Sequence, residues 1–101
     1  MPIQTRRSED GRTLTIQIEG RFDFSTHQAF RDAYEHGDPM VKGYVVDLSD
    51  TTYLDSSALG MLLLLRDYAG GDSANICIEN CNSDVRRILA ISNFEQLFAI
   101  R

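Results

Sequence analysis

The chain has 101 residues, 43% of them hydrophobic and 25% charged, which is enough for the core of one domain spanning residues 1–101 and leaves no room for a second. A formal net charge of -5, with Lys and Arg scattered, excludes the basic stripe that a nucleic-acid backbone requires. No apolar run reaches transmembrane length and Met1-Pro2-Ile3-Gln4 has no signal-peptide pattern, so no membrane partner is expected and the cytoplasm is the expected compartment.

Taken in order, residues 3–7 can form a short strand, and Asp10-Gly11 is a hairpin-turn signal. Residues 13–19 alternate, with Leu14, Ile16 and Ile18 on one face of a half-buried strand that Gly20 ends. Residues 21–24 read as a connector. Ser25 to Gln28 fits a capping box in which Ser25 caps and Gln28 reaches back. The helix it opens runs to about His36 with Ala29, Phe30, Ala33 and Tyr34 inward, closed by Gly37 and Pro39. Residues 41–48 are almost continuously apolar, as in a strand buried on both faces. A polar turn over residues 49–52 follows. Asp55, Ser56 and Ser57 then supply three N-cap residue types in a row ahead of a helix over residues 56–68, which Gly70-Gly71 stops.

Residues 74–79 form the next strand and residues 80–83 a turn and cap. A helix from Asp84 to about Ile91 carries Val85, Ile88 and Leu89 on one side, and Ser92-Asn93 breaks it. Residues 94–100 are expected as a last short helix anchored by Phe94, Leu97 and Phe98. Strands alternating with helices imply an α/β fold: a mixed four-stranded sheet with an N-terminal hairpin, right-handed crossovers and about four helices packed against it.

The helix beginning at Ser56 organises the chain. At about 100° per residue, Ala58, Met61, Leu62, Leu65 and Ala69 fall on one core stripe. Leu59, Gly60, Leu63 and Asp67 lie on the side of Ser56. If the stripe faces the sheet, Ser56 points to solvent beside two leucines, as a partner-binding surface containing a modifiable hydroxyl would; the plainer alternative is that a neighbouring helix covers both leucines. Gly60 costs a helix about 1 kcal/mol against Ala; it is either neutral drift or a place that permits close approach of another backbone. A helix start also offers free N–H groups to an anion.

Little points to catalysis. Ser56 has no Gly-x-Ser-x-Gly elbow around it, and neither His27 nor His36 sits in a motif. There is no phosphate-cradling Gly-rich loop. Cys77 and Cys81 form a lone pair without His ligands, which is poor for zinc, and Cys77 reads as a small buried hydrophobe. A non-enzyme without metal or cofactor is the expectation.

The run Asp47-Leu-Ser-Asp-Thr-Thr-Tyr-Leu-Asp-Ser-Ser-Ala-Leu-Gly60 resembles the signature of bacterial anti-sigma factor antagonists, the STAS domains, with Ala58 where that pattern usually has Gly. Gly20-Arg-Phe-Asp-Phe-Ser25 is similar to the family segment before its first helix. Ile91-Ser-Asn-Phe-Glu-Gln-Leu-Phe-Ala-Ile100 is similar to its C-terminal ending, with Asn93-Phe94 in place of Gly-Leu. The resemblance implies a STAS-like fold and a phospho-switched regulatory binding protein. Ser56 would be the phosphorylated residue, and Asp23, Asp55, Ser56, Leu59, Gly60 and Leu63 would make the switch surface. It implies as partners an anti-sigma factor or serine kinase of the switch type and a metal-dependent serine phosphatase, with flagellar, secretion or second-messenger regulators among the further partners. A monomer is expected when the protein is free. The alternative is a constitutive scaffold or small-ligand-binding STAS module in which Ser56 is only a helix cap.

Overall fold

The computed structural model describes residues 2–35 and 39–101. Strands β1 (Ile3–Arg7) and β2 (Thr13–Ile18) form the expected hairpin, antiparallel with Ile3 opposite Ile18. Its turn is closed by the Asp10 carboxylate, which accepts from the Ser8 hydroxyl (2.6 Å) and the Arg12 N–H (3.0 Å), while Gly11 takes φ +74°, a conformation that favours glycine. Along β2 the side chains alternate as the pattern requires: Leu14, Ile16 and Ile18 are buried and Thr13, Thr15 and Gln17 half-buried.

Strand β3 (Gly20–Phe22) leads to helix α1 (His27–Glu35); then come β4 (Gly43–Asp47), β5 (Thr51–Leu54) and helix α2 (Ser56–Tyr68). Strand β6 (Ile76–Glu79), helix α3 (Ser83–Ile91) and β7 (Ala99–Ile100) complete the chain. The main sheet has the order β1-β2-β4-β6-β7, with β2, β4, β6 and β7 mutually parallel. The four expected strands are thus present, with the two-residue β7 added at one edge.

The buried apolar residues form one cluster, joining Ile16, Val46 and Ile78 of the sheet to Phe30 of α1, Leu62 and Leu65 of α2 and Leu89 of α3. Helices therefore cover one face. Two expectations change with this. Val45 of β4 and its neighbour Cys77 of β6 lie on the other face and are only half-buried, so β4 is not enclosed on both sides and Cys77 is not a core residue. Burial nonetheless pushes the Cys77 thiol pKa up.

Other expectations shift at element ends. Residues 94–100 form a single 3-10 turn (Phe94–Gln96) and then β7, because the main chain at the end of β6 still needs a partner: Arg101 N–H donates to Ile78 O at 2.8 Å. Phe94 and Phe98 are buried anchors as expected, while Leu97 is exposed. The caps of α1 also differ. Asp23, not Ser25, caps the 3-10 turn (Phe24–Thr26) that precedes α1, and Gln28 bonds Asp32 instead of reaching back. The expected end of α1 at His36 and Gly37 lies outside the described residues. Among the described residues no helix is long and apolar enough to cross a membrane.

Two kinks place the functional region. After β2 and after β4 the chain bends away from the main sheet, and the two chains then pair again as the parallel strands β3 and β5, with Phe22 opposite Leu54. The expected connector and the end of the expected polar turn are therefore strands. Gly20, at φ +80°, donates its N–H to Asp50 O (2.9 Å), and the buried Thr51 hydroxyl donates to Ile18 O (2.8 Å). These two bonds stitch the kinks together.

Candidate functional site

The β3–β5 pairing ends at Phe22 and Leu54, both buried, and the next residue on each chain is an aspartate. Asp23 and Asp55 are thus brought side by side. Each carboxylate organises the turn that follows it in the same way. Oδ1 of Asp55 accepts from the N–H groups of Ser57 (3.0 Å) and Ala58 (3.1 Å) and from the Ser57 hydroxyl (2.6 Å). Oδ1 of Asp23 accepts from the Ser25 N–H (3.0 Å) and the Ser25 hydroxyl (2.5 Å). The chain contains the pattern apolar-Asp-x-Ser three times; Val46-Asp47-Leu48-Ser49 follows the main-sheet strand β4, while Phe22-Asp23-Phe24-Ser25 and Leu54-Asp55-Ser56-Ser57 start at the ends of the neighbouring strands β3 and β5.

These bonds hold both carboxyls below the ordinary carboxylate pKa. For Asp55 the Ser57 hydroxyl is the main cause, aided by the two N–H groups and opposed by the negative charge of Asp23. For Asp23 the Ser25 hydroxyl acts first and the Arg21 guanidinium second. Both are carboxylates at neutral pH, and both are committed as acceptors.

Ser56 is the first residue of α2 and is exposed, and its hydroxyl has no hydrogen-bond partner among the described residues. The cap is the side chain of Asp55, so the alternative in which Ser56 is only a helix cap does not describe this helix start. Ser57 is half-buried with its hydroxyl spent on Asp55. The N–H groups that a helix start would offer an anion are correspondingly taken, at Ser57 and Ala58, by Asp55.

Along α2 Ala58, Met61, Leu62 and Leu65 are buried as read, while Ala69, the last residue of the expected stripe, is the C-cap and only half-buried against the core. The opposite stripe is Ser56, Gly60, Leu63, Leu64, Asp67 and Tyr68, all exposed. Leu59 is not part of it; it is half-buried and packs against the core. Leu63 (41% exposed) keeps its expected place, and Leu64 (53%) and Tyr68 (44%) join it. At Gly60 an added Cβ would meet nothing within 4 Å, so no neighbour within the described residues demands the glycine.

Several residues of this surface escaped the sequence reading. Phe24, at the position in its turn that Ser56 holds in the other, is 72% exposed and stacks on His27 with ring centroids 5.3 Å apart. Arg21 lies opposite Tyr53 across β3 and β5; its guanidinium sits 4.2 Å above the Tyr53 ring, and its Nε donates to Asp23 Oδ2 at 3.2 Å. The apolar-Asp-x-Ser pattern was a partial signal: it marks these two like turns, but Val46-Asp47-Leu48-Ser49 carries it as well, and only the β3–β5 pairing singles out the aligned pair. Among the described residues no group of three or more His, Cys, Asp or Glu side chains could hold a metal ion.

Comparison with known proteins agrees with this geometry. The family model described as "Mlab, STAS domain" matches residues 5–99. A STAS-domain containing protein of Pseudomonas aeruginosa (strain UCBPP-PA14) is 65% identical over 100 residues, covering 99% of each chain. Among solved structures, an anti-sigma factor antagonist from Mycobacterium paratuberculosis superimposes with a TM-score of 0.76 at 19% identity, over 97% of this chain and 84% of the other. SpoIIAA, an anti-sigma factor antagonist solved in its unphosphorylated form, does so with a TM-score of 0.72 at 16% identity, over 98% and 86%. The Bacillus cell fate determinant SpoIIAA has also been solved in a phosphorylated form, which superimposes at 0.68 and 14% identity, over 98% of this chain and 90% of the other.

Proposed function

Because the chain belongs to the STAS domain family, we propose that it is a phospho-switched binding protein of the anti-sigma factor antagonist kind, with Ser56 as the switch. One observation carries the reading: Ser56 presents an exposed, uncommitted hydroxyl while the neighbouring Asp55 and Ser57 do the capping. A serine kinase transfers the terminal phosphoryl group of ATP to Ser56 Oγ, which loses its proton, and ADP leaves. Neither Asp23 nor Asp55 is suited to take that proton, since hydrogen bonds stabilise both as carboxylates, so the base belongs to the kinase. A metal-dependent serine phosphatase reverses the step.

The unphosphorylated surface is apolar beside Ser56, with Phe24 in the adjoining turn and Leu63, Leu64 and Tyr68 further along α2. A partner docking there, an anti-sigma factor or related regulator, would have to desolvate a phosphate beside an apolar contact. That costs several kcal/mol, and a cation already paired with the phosphate would have to be desolvated along with it; about 1.4 kcal/mol is a tenfold change in affinity. The phosphate therefore acts at the interface, with the Ser57 and Ala58 N–H groups of the helix start already held by Asp55. The supports for this reading are the family membership, the free hydroxyl and the apolar stripe behind it.

The test is a phosphate-retarding gel of the protein, Ser56→Ala and Ser57→Ala after incubation with ATP and extract of the native host. A retarded band in the parent and in Ser57→Ala, absent in Ser56→Ala, is the expected result. A band that persists in Ser56→Ala, or none in any sample, rejects the switch.

A further inference from the structure

The surroundings of Ser56 are short of donors for a phosphate. Asp55 Oδ1 holds the Ser57 and Ala58 N–H groups and the Ser57 hydroxyl, and Asp23 Oδ1 holds the Ser25 N–H and hydroxyl. Both carboxylates are charged and side by side, so a group carrying about -1.5 to -2 would arrive among negative neighbours. One cation lies beside these turns, against Asp23. Arg21 stands on β3 opposite Tyr53 of β5, the strand that leads into Ser56, with its guanidinium 4.2 Å above the Tyr53 ring. Only its Nε is engaged by Asp23; the remaining edge of the guanidinium makes no hydrogen bond to the described residues and is more than half exposed. A guanidinium has five N–H donors in a rigid fork suited to phosphate, and an aromatic face beneath it fixes its plane.

We infer that Arg21 is the residue that receives the phosphate of a modified Ser56, bridging it to Asp23 across the face of Tyr53. This rests on Ser56 being the modified residue. Asp23 then acts as the positioning residue: it holds Nε and leaves the rest of the fork free for the phosphate. Tyr53 supplies the platform. The other placed cations are spoken for or lie elsewhere: Arg31 pairs with Glu35, Arg66 with Asp72 and Leu97 O, and Arg101 with Glu79; Arg6 and Arg7 lie on β1, Arg12 just before β2 and Lys42 just before β4, and Arg86 and Arg87 are exposed on α3. The bridge would collect the new charge on the β3–β5 ledge and leave the α2 start unchanged.

The experiment uses full-length protein with phosphoserine encoded at position 56, so its outcome does not depend on any kinase, and the gel above can fail without it. The second pKa of the phosphate is followed by phosphorus NMR in the parent, Arg21→Gln, Arg21→Lys, Arg86→Gln and Arg87→Gln. Arg21→Gln should raise that pKa by roughly 0.5–1 unit, less than a buried pair because the site is in water. Arg21→Lys should restore part of the shift, and the α3 variants none. The Arg21 Nε–H resonance should also move between the Ser56 and phosphoserine forms of the parent. An unchanged pKa in Arg21→Gln with a native amide spectrum, or a shift produced by Arg86→Gln or Arg87→Gln instead, overturns the assignment. So does an Nε–H resonance that stays still.

Discussion

The Asp23 and Asp55 turns are built alike and do different things. Both follow a buried apolar residue at the end of a paired strand, and both use one carboxylate oxygen to hold the N–H and hydroxyl of the serine two residues on. One leads through a 3-10 turn into α1, which buries Phe30 and Tyr34; the other opens α2 directly, which buries Ala58, Met61, Leu62 and Leu65. The residue between Asp and Ser is exposed in both, as Phe24 and as Ser56. The comparison separates scaffold from function. The Asp and the Ser two residues after it make the turn in each case, so the middle position is the one free to vary. It carries an aromatic surface in one turn and a free hydroxyl in the other.

The largest effects should come from what each turn launches. Leu62→Ala, in the fully buried stripe of α2, should cost roughly 2–5 kcal/mol by chemical denaturation. Leu59→Ala should cost less than Leu62→Ala but measurably more than Leu64→Ala, because Leu59 packs against the core and Leu64 does not; equal values for Leu59 and Leu64 would return Leu59 to the exposed stripe. If the turns are equivalent, Ser57→Ala and Ser25→Ala should each lose about 0.5–1.5 kcal/mol, one hydrogen bond's worth, with Ser57 the larger because α2 supplies more of the core. A neutral Ser57→Ala would break the likeness of the turns.

Gly60→Ala should stabilise the free protein by about 0.5–1 kcal/mol, since an open helical site gains from Ala, and should weaken any complex in which a partner backbone crosses there. Phe24→Ala and Ser56→Ala, at the two middle positions, should each change stability by no more than about 0.5 kcal/mol. Loss of the fold in either would show that the middle position is structural.

The smallest effect is a pH dependence. The folded pKa values of Asp23 and Asp55 are depressed, so their contribution to stability is present above the ordinary carboxylate value of about 3.9. It is lost as pH falls through that value towards the folded one. Asp23→Asn and Asp55→Asn should therefore flatten the acid limb of a stability–pH curve while leaving its slope at neutral pH unchanged. An acid limb as steep as the parent's in both variants would mean that neither turn binds its proton differently on folding.

Much of this was legible in the chain itself. Period-two alternation placed Leu14, Ile16 and Ile18 inward, and period 3.6 placed Ala58, Met61, Leu62 and Leu65 inward, because side-chain direction in a strand or a helix is a local property. The same reasoning put Ser56 on the solvent side; which of Asp55, Ser56 and Ser57 makes the capping bonds was decided by the structure. Local reading failed where a residue's role depends on a distant partner. The segments read as connector and polar turn are strands because each finds the other across the kinks. The tail read as a helix ends as β7 because β6 has an open edge. Leu59 is packed although its helical angle is close to that of Ser56, since the width of a buried stripe depends on what lies against it. The placing of Asp23 beside Asp55, and of Arg21 over Tyr53, was decided only by the parallel pairing of β3 with β5. Periodicity along one chain says which way a side chain points; only the pairing of two chains says what it meets.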